Sequence, residues 1–241
     1  MFFNGIGVKT KQMSITFSNQ WQAFKQHFYF KWLLRCKLCY NANPNSRTKA
    51  TLGHILNNCP CMLERYEWRH NGVLTYLFKE LKDKKRETAE IYAYIEGAKI
   101  SGGTIPPNIV TTAQRPDLVI VDRSTHPTTV ILVELTIPFT RNITDANTRK
   151  QLRYEFLAAD IEAAGYKCMN IPIEICSRGH ISTRNRNQIT NLFYQFNVRN
   201  FQKILRTCSK LSLLASYSIF NSRSEQNWSR SGYLKPWYTL W

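Results

Sequence analysis

The chain has 241 residues, and 43% of them are hydrophobic, enough for one ordinary domain with its own core and a small additional segment. Its formal net charge of +17 at pH 7 favours a polyanionic partner, of which nucleic acid is the commonest. The sequence lacks both an apolar run of the roughly 18 residues that a membrane span needs and the apolar core of a signal peptide, so we expect an intracellular protein that is not secreted.

The first predicted element is a lead-in helix. Residues 13–33 carry aromatic and aliphatic side chains at mixed helical spacing, and we assign residues 1–33 to this segment. An anionic membrane is the competing partner for the positive charge of the chain, but binding to it usually needs a basic amphipathic helix or a lipid anchor.

A segment rich in cysteine and histidine follows, at residues 34–72. It contains four residues at the spacing of zinc ligands: Cys36, Cys39, His54 and Cys59. The CxxC pair places two sulfurs on one tight turn, and the histidine and the cysteine five positions later present two ligands from one helical turn. Thiols inside the cell stay reduced, so the cluster indicates a closed structural zinc site rather than disulfides. Cys61 and His70 are alternative candidates for the fourth ligand.

An amphipathic helix is predicted from Val73 to about Ile100. Four apolar residues share one face at helical spacing: Leu74, Leu77, Phe78 and Leu81. The other face carries five basic residues: Lys79, Lys82, Lys84, Lys85 and Arg86. This face is either a solvated surface or part of a footprint for a polyanion.

Two short β-branched runs, 117–122 and 129–135, are typical of strands, and the sequence between them is typical of a turn. An antiparallel hairpin centred between residues 125 and 126 places Asp117 opposite Glu134. Opposed residues lie about 4.5–5.5 Å apart at Cβ, so the two carboxylates repel unless they share a proton or a cation. Mg²⁺, which prefers oxygen ligands, is the natural bridge. Alternatively, the two acids merely end their strands at the water interface.

The remaining elements complete a predicted α/β domain over residues 73–222. They are a helix near 145–164, a strand at 170–177 and two helices near 183–197 and 199–220. The last residues, 223–241, form a polar and then aromatic tail without usable periodicity.

Four motifs occur in order within residues 30–180: TLGHILNNCP at 51–60, RHN at 69–71, RPD at 115–117 and VELTIPF at 133–139. In this order they resemble the C-terminal part of the polyprotein of non-LTR retrotransposons that carry a restriction-like endonuclease, including those that insert into ribosomal RNA genes. The resemblance covers most of the chain.

The resemblance implies a CCHC zinc knuckle followed by a nuclease with a restriction-endonuclease-like core of the PD-(D/E)xK type. It also implies that Asp117 and Glu134 bind the catalytic Mg²⁺ or Mn²⁺. Two departures stand out. Sixteen residues separate the two acids, slightly more than is usual in the family, and Leu135 and Thr136 occupy the place of the expected xK pair. A longer hairpin loop would absorb the first departure.

In the family, the role of the missing lysine passes to a following helix, and Lys150 is the corresponding candidate here. Lys150, Tyr154, Leu157 and Ile161 form one helical stripe that could face the sheet. Arg153 cannot act as a base because guanidinium does not deprotonate. The alternative is that Lys150 is a surface lysine on an ordinary helix.

The expected partner is DNA, with RNA as a second nucleic acid, and no small-molecule substrate is evident. Residues expected to contact nucleic acid are Arg69, His70, Arg115, Arg153 and Tyr154. The expected function is a metal-dependent DNA endonuclease in the nucleus, part of a retrotransposon protein that nicks its target for insertion. The polymerase signature YxDD is absent, so we expect a piece of the larger element without its reverse transcriptase. The alternative is an inactive nucleic-acid-binding remnant with a zinc knuckle.

Overall fold

The computed structural model describes residues 35–84, 87–100, 103–139, 154–196, 198 and 200–228. These residues divide into two compact units. The first combines residues 35–66 with residues 214–228, and the second consists of the described residues between 67 and 213. The predicted lead-in helix, most of the predicted tail, Lys150 and Arg153 lie outside the described residues.

The described helices and strands follow each other in this order: α1 Lys37–Ala42, α2 Leu63–Lys84, β1 Ala89–Ala93, β2 Leu118–Asp122, β3 Thr129–Thr136, α3 Glu155–Ala163, β4 Lys167–Glu174, α4 Thr183–Gln195 and α5 Phe201–Asn221. A π-helical turn at His54–Asn58 and a 3₁₀ turn at Pro60–Met62 precede α2. Within the described part of the chain, no helix is both long enough and apolar enough to cross a membrane.

The strands form one mixed sheet in the order β1-β2-β3-β4. The strand β2 is antiparallel to both β1 and β3, and β4 runs parallel to β3. Leu118 pairs with Val133, and the remaining pairs of β2 and β3 keep the same register. The sequence-based prediction of this hairpin and its register is therefore confirmed, and the fold is of the mixed α/β class.

Both faces of the sheet are covered, which explains why β2 is buried along its whole length and β3 along nearly all of it. On one face, alternate residues such as Ile120, Ile131 and Val133 pack in a core with side chains from α2, α4 and α5. On the other face, Val119 and Leu132 pack against α3. Because successive side chains of a strand point to opposite faces of the sheet, the strand residues contribute alternately to two cores.

The predicted helix from Val73 to about Ile100 is wrong in its second half. The helix α2 ends at Lys84, and residues 89–93 form the edge strand β1. Pairing with β2 buries Ala89 and Ala93 completely. Partners nearly thirty residues away decide this structure, so local helical periodicity could not predict it.

The other predicted elements that can be compared agree in type. The strand predicted at 170–177 lies at Lys167–Glu174, and the last two helices lie at Thr183–Gln195 and Phe201–Asn221. The helix predicted near 145–164 is described from Glu155 to Ala163. Strand and helix ends move by a few residues because local pattern defines them only loosely.

Candidate functional site

Four side chains of the first unit converge: Cys36, Cys39, His54 and Cys59. Their ligand atoms all lie within 4.8 Å of one another. The Sγ of Cys59 is 3.8 Å from the Sγ of Cys36 and 3.6 Å from that of Cys39, which in turn lies 3.5 Å from the Nε2 of His54. Ligands about 2.3 Å from a tetrahedral zinc ion are separated by about 3.8 Å. The four residues lie close together and could hold a metal such as zinc.

Local structure brings these ligands together. Cys36 precedes α1, its N–H donates to the carbonyl of Thr48, and an antiparallel bridge joins Arg35 and Lys49. Cys39 lies on the first turn of α1, so the CxxC pair is held on one short helix. His54 and Cys59 lie at the start and just past the end of the π-helical turn.

Tyr66 supports the histidine and cysteine from outside the cluster, and sequence reasoning missed this residue. Its hydroxyl donates towards the carbonyls of His54 and Ile55, at 3.1 and 2.7 Å, and accepts from the N–H of Cys59 at 3.1 Å. Such outer contacts fix the orientation of metal ligands. The aromatic residue follows Cys59 by seven positions, and this spacing alone would not have identified it.

The three thiols of the cluster shift one another's pKa. The hydrogen bond with Cys59 lowers the pKa of Cys36 to about 4, and the same contact raises the pKa of Cys59. Burial raises the pKa of Cys39 to about 11. Without a cation the three sulfurs therefore do not all ionise together, whereas a divalent cation would compensate their combined charge.

The two alternative ligands do not belong to this cluster. Cys61 is exposed, and the group that could hold a metal does not include it. His70 lies in the second unit, where it contacts Asp117. Of the remaining cysteines, Cys176 and Cys208 are fully buried, as expected for small core residues, and Cys168 is half-buried.

A second candidate site lies where β2 begins and β3 ends. The backbone N–H of Asp117 donates to Oε2 of Glu134 at 3.2 Å, and the N–H of Leu135 donates to Oδ2 of Asp117 at 2.8 Å. Glu134 is buried and Asp117 is half-buried. The structure therefore brings the two acids together as the predicted hairpin requires.

His70, on α2, is a hydrogen-bond partner of this pair. Its Nε2 lies 3.2 Å from both Oδ2 of Asp117 and the carbonyl oxygen of Leu135. Since both of these atoms are acceptors, Nε2 carries the proton. Burial lowers the pKa of His70, but the hydrogen bond and the charge of Asp117 outweigh burial, so the net shift is upward.

Tyr154 is buried directly before α3 and donates from its hydroxyl to Oε2 of Glu134 at 3.1 Å. The apolar stripe that continues from it, Leu157 and Ile161, packs on the same face of the sheet. This part of the predicted helical stripe is confirmed, and Lys150, at its start, lies outside the described residues. The expected contact of Tyr154 with nucleic acid does not fit its burial, because the ring and hydroxyl are enclosed by protein.

Arg69 likewise does not fit its expected role as a contact with nucleic acid. Its side chain is buried, and one guanidinium nitrogen lies 3.5 Å from the carbonyl oxygen of Ile137. A phosphate would have to enter the protein interior to reach it. Arg69 is a structural residue of the segment that also presents His70.

Arg115 is exposed two residues before Asp117, as a contact with phosphate requires. It donates to the hydroxyl of Tyr94 at 2.7 Å, and its guanidinium carbon lies 5.5 Å from the centre of the Tyr94 ring. The ammonium of Lys99, also exposed, lies 4.0 Å from the same ring centre. We call Tyr94, Lys99 and Arg115 the cationic cluster; sequence reasoning found only Arg115.

Comparison of the chain with protein-family models found no match, and comparison with curated proteins found none either. The site is therefore interpreted from its own geometry.

Proposed function

We propose that the chain is a metal-dependent DNA endonuclease, similar to the restriction-like nuclease of non-LTR retrotransposons. The observation that supports this most directly is the closeness of Asp117 and Glu134. The backbone N–H of Asp117 donates to the carboxylate of Glu134, and the neighbouring pair Leu118 and Val133 has the register that the sequence predicts. Two carboxylates held near each other repel, and a cation relieves that repulsion. Under this proposal the core is of the PD-(D/E)xK type, and the protein acts in the nucleus.

The donor set of this pair fits Mg²⁺ or Mn²⁺. Both ions prefer oxygen ligands, and Asp117 and Glu134 offer carboxylate oxygens already oriented by N–H and O–H donors. Bound there, the ion would polarise the scissile phosphate and lower the pKa of the attacking water.

The protein's own groups have separate tasks under this proposal. His70 orients Asp117, and Tyr154 orients Glu134. Lys150 orients the water or stabilises charge that develops on the phosphate. The cationic cluster binds the DNA backbone next to the acids, in a manner that depends little on sequence.

The cysteine and histidine cluster would act as a zinc knuckle. Zinc held by Cys36, Cys39, His54 and Cys59 would supply folding energy to a short segment whose own core is small. The folded knuckle then helps to position DNA or RNA through contacts with phosphates.

A second candidate is a nucleic-acid-binding protein that no longer cuts. The exposed cationic cluster favours it, because Lys99 and Arg115 would bind phosphates whether or not the acids are active. Cleavage distinguishes the two candidates.

The decisive experiment is a plasmid-nicking assay with Mg²⁺ or Mn²⁺, on the full chain and on Asp117→Ala. We expect nicking by the wild type and a complete loss in Asp117→Ala, because one remaining carboxylate holds the ion weakly against its waters. DNA binding should be nearly unchanged, since it rests on lysine and arginine contacts with phosphates. Lys150→Ala should slow nicking by about 10²-fold or more.

A matched control is Asp160→Ala, which removes an exposed carboxylate from α3. It should nick like the wild type. Nicking that survives Asp117→Ala would overturn the assignment of the site. A wild-type protein that binds DNA but never nicks with either ion would leave the binding protein as the function.

A further inference from the structure

Glu174 is a buried acid that has no role in the site formed by Asp117 and Glu134 as described above. It is the last residue of β4 and is 4% exposed. Its Oε1 is buried and has no hydrogen-bond partner among the described residues. Burial raises the pKa of this carboxyl group, and the charge of Arg184 opposes the rise. Leaving a buried carboxyl oxygen without a partner is destabilising, and a bound ion is one kind of partner that relieves this cost.

The backbone around Glu174 is held firmly. Its N–H donates to Oδ1 of Asn185 at 2.9 Å, and the Nδ2 of Asn185 donates to the carbonyl of Pro172 at 2.9 Å. Asn185, on α4, is itself buried, and its side chain binds backbone groups of β4 that do not pair with β3. The position of the Glu174 backbone is therefore fixed, although its carboxyl oxygen is left without a partner.

Strand register places Glu174 on the same face and at the same end of the sheet as the acid pair. In the parallel pairing of β3 and β4, Glu134 lies opposite Pro172 and Thr136 lies opposite Glu174. Side chains two apart on a strand share a face, so Glu134 and Glu174 point to the same side. This is the side on which α3 packs, since Leu132 contacts that helix.

The carboxylate oxygens of Asp117, Glu134 and Glu174 do not all lie within 4.8 Å of one another in the structure, so a shared ion would draw the side chains together. Strands about 4.8 Å apart and a shift of two residues place the two Cα atoms about 8 Å apart. Each glutamate side chain can extend towards the other over such a span. Asp117, directly before β2, lies beside Glu134, so three acids follow one another at this end of the sheet, next to β2, on β3 and on β4.

We propose that Glu174 is a third acidic ligand of the divalent-cation site at Asp117 and Glu134. This inference rests on the proposed function. A bound Mg²⁺ or Mn²⁺ would give the buried Oε1 the partner that the protein does not supply, and a third carboxylate would raise the affinity of the site, because affinity grows with the number of charged ligands.

The test measures Mn²⁺ binding to the full, zinc-loaded chain by isothermal titration calorimetry. The sulfur-rich cluster keeps its zinc under these conditions, because Mn²⁺ is the weakest binder of its series and prefers oxygen. We compare the wild type with Glu174→Gln, which keeps the shape and removes the charge. Glu162→Gln, on the exposed side of α3, is the matched control.

We expect Glu174→Gln to weaken Mn²⁺ binding by at least about tenfold, with Glu162→Gln equal to the wild type. Mn²⁺ should also raise the melting temperature of the wild type more than that of Glu174→Gln. If Glu174 were purely structural, Glu174→Gln would lower the melting temperature measured without Mn²⁺ and would leave the Mn²⁺ affinity unchanged.

The outcomes separate this inference from the proposed function. The role of Glu174 is overturned if the wild type and Glu174→Gln bind Mn²⁺ equally, or if the wild type does not bind Mn²⁺. In either case, nicking that depends on Asp117 would still support the endonuclease. If Mn²⁺ binding depends on Glu174 but the protein never nicks DNA, the cation site is supported and the proposed endonuclease function is rejected.

Discussion

The hydroxyl of Tyr154 donates to Oε2 of Glu134, the most buried acid of the candidate site, and lies 3.4 Å from the carbonyl oxygen of Arg115. Tyr154→Phe removes the hydroxyl and keeps the ring that packs beside Leu157. A buried carboxylate that loses a donor is destabilised, so the free energy of unfolding should fall by about 1–3 kcal/mol. Urea denaturation of both proteins measures the difference.

Tyr194→Phe is the control for this prediction. Tyr194 is exposed, and its substitution should change the free energy of unfolding by less than about 0.5 kcal/mol. Equal stability of Tyr154→Phe and the wild type would mean that the hydroxyl does not support Glu134 in solution.

Individual side chains also mark the limits of sequence reasoning. Asp117 and Glu134 could be paired from sequence because a hairpin register depends only on residue positions relative to the turn. The burial of Arg69 could not be read in the same way. Its contact is a carbonyl 68 residues further along, and a basic residue in a basic chain looks like a surface residue until the fold is known.

At the scale of elements, the predictions succeed where local pattern and tertiary pairing agree. The hairpin β2–β3 has continuous β-branched runs and a clear turn, so its pattern is strong. The strand β1 is short, follows a genuine amphipathic helix and has residues that also fit a helix. Only its pairing with β2 decides its structure, and pairing is not visible in a local window.

The segment from α1 to the π-helical turn should depend on zinc. Cys39→Ser removes the sulfur that lies close to both Cys59 and His54, and three remaining ligands hold zinc weakly. We expect about one equivalent of zinc in the wild-type protein and a loss of most of it in the variant. Metal analysis measures zinc, and limited proteolysis should show faster cleavage within residues 35–66.

Cys61→Ser provides the control, because this thiol is exposed and is not part of the cluster. It should keep zinc and resist proteolysis like the wild type. A wild-type protein without zinc, or a Cys39→Ser protein that retains a full equivalent, would contradict the assignment of the ligands.

At the scale of the whole molecule, the formal charge of +17 predicts nucleic-acid binding that weakens steeply with salt. Charge alone does not say which surface binds. The cationic cluster at Tyr94, Lys99 and Arg115 gives a location, because Tyr94 and Asp117 are joined directly through the N–H of Tyr94 and the carbonyl of Asp117 at 2.8 Å. Phosphates bound there would lie next to the acids.

This location can be tested by the salt dependence of DNA binding. The logarithm of the association constant should fall linearly with the logarithm of salt concentration, with a slope of about −0.9 for each phosphate contact. Lys99→Ala and Arg115→Ala should each make the slope shallower by about one and weaken binding to all sequences alike. Fluorescence anisotropy with a labelled duplex, in Mg²⁺-free buffer, measures the slopes.

Lys167→Ala is the matched control, because Lys167 is exposed but begins β4 at the opposite end of the sheet, where it pairs with Thr129. Five residues of strand separate it from the level of Glu134, which corresponds to roughly 17 Å. A phosphate held beside the acids is out of its reach, so this variant should keep the wild-type slope. If Lys167→Ala makes the slope shallower and Lys99→Ala and Arg115→Ala do not, DNA binds away from the acids, and cleavage at Asp117 and Glu134 would lose its physical basis.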